Sequence, residues 1–176
     1  MNETQTGANK ETLWMCFKRS APTDKIYLLL ASWFFCGVLP GAPGTFGTMG
    51  AVIPAILVGE LPFGFRVLLV GGVIVLAVFC SSKASTVLGD EDPPGIVIDE
   101  VAGYLVATIA IPLSFGAMTL AFVFFRAFDI LKPFPIGQLD RKVKGGLGIV
   151  LDDLVAGALA LMVVRGILLV LRSGIL

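Results

Sequence analysis

Residues 101–125 read VAGYLVATIAIPLSFGAMTLAFVFF, an apolar run between the acidic pair Asp99-Glu100 and a charged stretch, FRAFDILKPFPI, at Phe125–Ile136. As one straight helix the run would hold these two stretches roughly 37 Å apart, on opposite faces of a bilayer. Its middle, Ile111–Gly116, reads IPLSFG. Proline disfavours helical geometry in the residue before it, and Ser-Phe-Gly is turn material. Two arms of about 11 residues each, joined there, would return the chain to the side it left. The alternative is a single kinked span. The hairpin is preferred because it lets the acids meet.

Composition sets the environment. The chain has 176 residues, a length that fits one domain. It is 56% hydrophobic and 15% charged, with a mean hydropathy of +0.92. A soluble domain carries about 25% charged residues, so this is the composition of a membrane protein. Strand-like alternation is confined to Ile96–Ile98, too short for a sheet. The expected fold class is therefore all-α: a membrane-embedded helical domain with short or broken helices and helical hairpins.

Net charge is zero and no Lys/Arg block is present, so no nucleic-acid partner is expected. No obligate protein partner is evident either. The chain has no histidine, which excludes mechanisms that need imidazole. Cys16, Cys36 and Cys80 are far apart and odd in number, and read as packing residues rather than as a disulfide framework, a zinc site or nucleophiles. Residues 1–24 lack the pattern of a secretory signal. They are expected to form a mostly disordered or interfacial arm, whose Lys10, Lys18 and Arg19 favour the cytoplasmic side. Residues 25–176 form the membrane domain.

The apolar segments are roughly Ile26–Leu39, Met49–Val58, Phe65–Cys80, Val101–Phe125 and Leu154–Leu171. A span needs about 20 apolar residues. The first two segments are short and interrupted, and read as half-buried helices or hairpin arms. The third and fifth are long enough to span when tilted, although Arg165 in the fifth must snorkel or find a partner. No internal repeat is evident.

Nine of the 13 acids fall in three clusters: Asp90-Glu91-Asp92 with Asp99-Glu100, Asp129 with Asp140, and Asp152-Asp153. Singly, each has a modest explanation. Asp99 or Asp152 could cap a helix, and Asp90–Asp92 could be a solvated loop. Asp129 and Lys132 could form a surface ion pair worth a few tenths of a kcal/mol. Together they say more. Neighbouring helical positions point about 100° apart, so one acid of each doublet can face a common centre. Three helix ends each delivering a carboxylate provide the hard oxygen ligands that Mg²⁺ takes, together with oxygens of a substrate phosphate. Arg126, Lys132, Arg141 and Lys142 lie beside the acids in sequence and can neutralise phosphate.

A further stretch, PGAPGTFGT at Pro40–Thr48, combines glycines that permit close backbone approach with the hydroxyls of Thr45 and Thr48. Placed at a helix start, it would make an anion site. It is not a Walker A loop, because no Gly-Lys-Ser/Thr follows. Gly145–Gly148 (GGLG) reads as a turn into the last helix. Other phosphatase chemistries drop out. There is no Cys-x5-Arg, no histidine for a phosphohistidine, no Asp-x-Asp before Thr or Val, and no acid spacing of the CDP-alcohol phosphotransferase type. Metal-assisted hydrolysis on carboxylates remains.

In order and spacing, PGAPGTFGT, IVIDEVAG, FRAFDILKPFPI, DRKV and GGLGIVLDDLVAG resemble the phosphatidylglycerophosphatase A family over roughly residues 30–160. The resemblance implies an all-helical, Mg²⁺-dependent lipid phosphatase of the bacterial inner membrane. Its substrate would be phosphatidylglycerophosphate and its product phosphatidylglycerol. Asp99 and Glu100 match the family's Asp-Glu pair. Asp129 and Lys132 match its Asp and Lys before Pro-aromatic-Pro, here Pro133-Phe134-Pro135. Asp152 and Asp153 match its Asp-Asp pair, and Thr45 matches the Thr after Pro-Gly. Thr48 stands where the family carries Ser. Asp90–Pro94 falls in a region variable in the family, so Asp92 is not assigned to the site, and the arm has no counterpart. The combined expectation makes Asp99, Glu100, Asp129 and Asp153 catalytic, and adds Asp152 to them as Mg²⁺ ligands. Thr45, Thr48, Arg126 and Lys132 are expected to bind phosphate at the cytoplasmic membrane surface.

Two other classes compete. A divalent-cation transporter or channel would place acids in mid-span, whereas these sit at segment ends beside Lys and Arg. A non-catalytic membrane scaffold would tolerate neutralisation of the acids.

Overall fold

The computed structural model describes residues 13–134, 136–138, 143 and 145–173, and among these every regular element is helical. Helix α1 covers residues 13–19, and α2 covers Pro22–Ala31, followed by a 3-10 turn at Cys36–Val38. Then come α3 (Pro43–Gly59), α4 (Phe63–Leu88), α5 (Ile98–Thr108) and α6 (Phe115–Leu131). A helical turn at residues 136–138, α7, precedes α8 (Gly145–Ser173).

Local chemistry sets the boundaries. Pro43 opens α3 where a missing N–H costs nothing. Gly89, at φ 69°, closes α4 in the left-handed conformation that glycine adopts freely. Ser114 caps α6 by accepting a hydrogen bond from the Ala117 amide at 3.3 Å. The chain thus reverses at residues 109–114, as IPLSFG predicts. Because the cap is Ser114, Phe115 and Gly116 belong to the first turn of α6 instead of the loop. The arms are unequal, at 11 and 17 residues.

Helices α4 and α8, of 26 and 29 residues and with 18-residue windows of mean hydropathy 2.4 and 2.6, are long and apolar enough to cross a membrane. Helix α5 is only about 16 Å long, half the thickness of a hydrocarbon core of about 30 Å. The GGLG stretch, expected as a turn, instead starts α8. Gly146 there lets the helix approach the backbone of Val78 and Ser82 on α4. Part of the expected arm, residues 13–19, is helical, and its Leu13 is buried; residues 1–12 lie outside the described residues.

Helices α3, α5 and α8 begin at one end of the bundle, and α4 and α6 return to it. At the far end Leu113 of the hairpin tip packs on Gly59, the last residue of α3. Arg66 of α4 donates to the carbonyls of Leu61 (2.8 Å) and Ile109 (3.3 Å). Arg165 of α8 finds its partner there too, donating to Ala110 O at 3.1 Å. Both arginines satisfy carbonyls left open where α5 ends.

Helix α5 is the core element, buried on most of its surface, as expected of a helix apolar nearly all round. Its closest crossing is with α8. A Cβ on Gly157 would strike the Gly103 carbonyl, and one on Gly103 would sit 2.7 Å from the Asp153 carbonyl oxygen. Ala102, Ala107, Ala156 and Ala160 are fully buried, so small residues let these two parallel helices touch backbone to backbone. The crossing rests on a pattern too short to register as a repeat in sequence. Asp99-Glu-Val-Ala-Gly103 and Asp153-Leu-Val-Ala-Gly157 share Asp-x-Val-Ala-Gly. Each copy puts an aspartate one helical turn before a crossing glycine.

Candidate active site

Where α3, α5 and α8 begin and α6 ends, the helices enclose a cavity of about 840 Å³. Asp99, Glu100, Asp129, Asp152 and Asp153 all line it, with Thr45, Arg126 and Lys132. The hairpin achieves this by returning α6 to the end from which α5 departs. Thr48 is the nominated residue set apart from the lining. It is fully buried, and its hydroxyl donates to Gly44 O one turn earlier at 2.8 Å. Asp140, Arg141 and Lys142 lie outside the described residues.

The acids divide into two kinds by partner. Asp129 accepts from Arg126 Nη1 at 2.5 Å, and Asp152 accepts from Lys132 Nζ at 2.8 Å. The pairing differs from the simple one suggested by spacing, in which Asp129 meets Lys132. Lys132 caps α6 in the left-handed region at φ 43°; its ammonium bridges to Asp152 on α8 while Arg126 pairs with Asp129 one turn along α6. Asp99, Glu100 and Asp153 form the second kind. Each offers a carboxylate oxygen within 4.8 Å of those of the other two. Asp99 Oδ1 and Glu100 Oε2 are buried and have no hydrogen-bond partner among the described residues. Asp99 is in the first turn of α5 while the N-cap position is Val97, and its buried Oδ1 has no partner among the described residues, so capping does not account for that oxygen.

Electrostatics follow from this packing. Asp99 is 8% exposed and Asp153 3%. Burial pushes the Asp99 carboxyl well above the usual carboxylate range, and the neighbouring Glu100, Asp153 and Asp92 charges push it further. Burial likewise raises Glu100, to about 7, with Asp129 adding to the rise; the Asp99 hydrogen bond and Arg126 oppose it. Arg126 Nη1 lies 3.9 Å from Glu100 Oε1.

An orphaned pair of buried carboxylate oxygens beside a third acid is a donor set of hard oxygens. Magnesium–oxygen bonds are about 2.1 Å, so trans ligands lie about 4.2 Å apart. Asp99, Glu100 and Asp153 therefore fit such an ion with small side-chain adjustments.

Two acids were not assigned to the site from sequence. Glu91 and Asp92 line the cavity, and Asp92 is close enough to raise Asp99; the only signal was their position a few residues before the acid pair. The close backbone approach expected of the glycines in PGAPGTFGT is met at Gly44. A Cβ there would collide with Glu100 Oε1 and come within 2.9 Å of Arg126 Nη1, so α3 meets the site with bare backbone. The first turn of a helix leaves amides without intrahelical partners, and those of Gly44 and Thr45 fall at this wall.

A profile of the family described as phosphatidylglycerophosphatase A matches residues 29–168. Phosphatidylglycerophosphatase A of Haemophilus influenzae is 37% identical over 153 residues, covering 83% of this chain and 94% of that protein. The Escherichia coli protein of the same name is 37% identical over 133 residues, covering 75% of this chain and 77% of its own. A Bacteroides thetaiotaomicron relative, provisionally named a phosphatidylinositol-3-phosphatase, is 31% identical over 144 residues, 78% of this chain and 90% of that one. No solved structure matches. With most of its length, Asp99 through Asp153 included, inside the matched region, the chain belongs to the phosphatidylglycerophosphatase A family.

Proposed function

We propose that this chain is a Mg²⁺-dependent phosphoric monoester hydrolase that converts phosphatidylglycerophosphate to phosphatidylglycerol and phosphate. The observation that carries the reading is the acid cluster itself. Seven carboxylates, Glu91 and Asp92 among them, face two cations in one cavity, an excess of five negative charges when all are ionised. A phosphomonoester adds about two more. Such a site binds its substrate only with a cation present. Asp99, Glu100 and Asp153 would hold Mg²⁺, with Asp129 and Asp152 at its margin. The bound ion would polarise phosphoryl oxygens and lower the pKa of water.

The chain's own groups supply the rest. Arg126 and Lys132 face the phosphate oxygens and offset their charge. Amides at the start of α3 and the Thr45 hydroxyl donate to the same group. Thr48 supports this wall indirectly, through Gly44 O. Asp129, oriented by Arg126, accepts the proton of the attacking water. As the water oxygen bonds to phosphorus and the phosphate ester bond breaks, that proton passes to the departing alcohol.

A lipid substrate requires this end of the bundle to lie at a membrane surface. We assign it to the cytoplasmic face of the bacterial inner membrane. Arg126 and Lys132 line the cavity and Lys83 lies in the last two turns of α4, which returns to that end, in keeping with the positive-inside tendency. An ion-conducting role is disfavoured by the Arg126 and Lys132 side chains at the acid cluster.

The test is phosphate release by purified protein from phosphatidylglycerophosphate, with Mg²⁺ or with excess EDTA, and with phosphatidylinositol-3-phosphate as competitor. Turnover only with the metal, and preference for the glycerol lipid, is expected. Full turnover in EDTA would overturn the metal assignment. Preference for the inositol lipid would overturn the substrate assignment.

A further inference from the structure

We propose that α1 and the beginning of α2 form a docking surface for anionic phospholipid of the leaflet at the cavity end, and that this surface braces the segment leading into Asp99. The proposal rests on the membrane placement above but not on the phosphatase chemistry.

The surface joins an aromatic cluster to a set of cations. Trp14 stacks on Phe17 at 6.0 Å between ring centroids, and both meet Phe35 edge-on, at 5.8 and 5.1 Å. Lys18 lies 5.0 Å above the Trp14 ring and Lys25 lies 5.9 Å above Phe17. Around this cluster Trp14, Met15, Ile26 and Phe34 are exposed, as are Lys18 and Arg19. From residue 13 to residue 31 there are three cations and one acid, Asp24. Exposed Trp and Phe beside Lys and Arg are the composition of an interfacial helix, and the positive excess complements anionic headgroups.

The same cluster holds an unusual piece of backbone. Trp33, Phe34 and Phe35 are successive residues at φ of 46°, 55° and 67°, a left-handed conformation costly for side chains other than glycine. Such geometry persists only where its surroundings enforce it. Here Phe35 is held by Trp14 and Phe17, and Trp33 lies against Gly50.

From this turn the contacts lead to the acid pair. Leu13 is buried over Gly95, where a Cβ would meet its Cδ1 at 2.7 Å. Gly37 lies against the Gly95 carbonyl, and the Val97 amide donates to Ala31 O at 2.8 Å. Residues 95 and 97 are thus fixed by the N-terminal elements, and α5 with Asp99 and Glu100 begins at Ile98.

The experiment uses the full chain with Trp33→Phe, which leaves Trp14 as the single tryptophan. The protein is placed in nanodiscs of phosphatidylcholine and phosphatidylserine, with bromine on the acyl chains of one lipid at a time. Phosphatidylserine carries no phosphomonoester, so it does not compete for the acid cavity. Trp14 quenching per brominated lipid should be at least about twofold greater for phosphatidylserine. That ratio should fall toward one in the Lys18→Glu, Arg19→Glu double variant, and in the parent protein at high salt. Asp99→Asn should leave it unchanged. Equal quenching by both lipids, quenching by neither, or a ratio insensitive to both charge reversal and salt would overturn the proposal. None of these outcomes depends on phosphate release.

Discussion

Gly157→Ala probes the backbone contact on which the acid cluster depends. Ordinary contact for a Cβ begins at 3.4 Å, and the Cβ of an alanine here falls well inside that distance from the Gly103 carbonyl. The obstacle is backbone, so no rotamer change relieves it, and α5 and α8 must part by about an ångström. Overpacking of this kind costs about 1–3 kcal/mol. Its effect reaches the site directly, because Asp99 and Asp153 each lie one turn from the crossing. Their ligand oxygens, with that of Glu100, are already within 4.8 Å of one another, near the limit of about 4.2 Å for trans ligands of magnesium. A further ångström takes them out of reach of one ion. Misplacement on this scale lowers turnover about 10²-fold, and the Mg²⁺ requirement should shift to higher concentration. The control is Gly166→Ala on the same helix, where a Cβ meets nothing within 4 Å; it should be neutral or stabilising by up to about 1 kcal/mol. The assays are phosphate release across a Mg²⁺ titration and thermal inactivation in detergent. Wild-type turnover and Mg²⁺ dependence in Gly157→Ala would refute the reasoning.

Other expected outcomes follow from the same site. Asp99→Asn, Glu100→Gln and Asp153→Asn should each reduce kcat by about 10²-fold or more while the protein still folds; near-normal rates in two of the three would remove the cluster from the chemistry. Thr48→Val should cost stability, by about 1 kcal/mol, through loss of its bond to Gly44 O, whereas Thr45→Val should raise KM; denaturation and steady-state kinetics separate the two. Stability in EDTA should fall as pH rises from about 4.5 to about 7. The sign follows from Glu100, whose folded pKa is raised from 4.5 to about 7, so the folded state binds more protons in that window. Mg²⁺ should offset the loss at the upper end, and thermal inactivation at pH 5 and 8, with and without metal, checks both statements. Lys132→Ala should weaken substrate binding, seen as a higher KM.

Composition pointed to a membrane chain, because 15% charged residues leave little solvating surface, and the lack of strand alternation pointed to helices. The hairpin was legible from Pro112 and Ser114, since breaking and capping a helix are local matters of backbone geometry. The acids stood out because carboxylates are rare in such a background. Their assignment to one cluster was a distance argument that needed only the rise of a helix. Tertiary packing decided what spacing could not. It paired Lys132 with Asp152 and Asp129 with Arg126, since a left-handed cap at the end of α6 directs the lysine across to α8. It turned Thr48 inward, because one helical turn brings its hydroxyl to Gly44 O. It gave Arg165 a partner 55 residues away in sequence. Above all it gave meaning to the two Asp-x-Val-Ala-Gly stretches. Glycine in a helix is locally unfavourable and says nothing of its neighbour. Only when α5 and α8 lie backbone to backbone do Gly103 and Gly157 set the separation of the aspartates beside them.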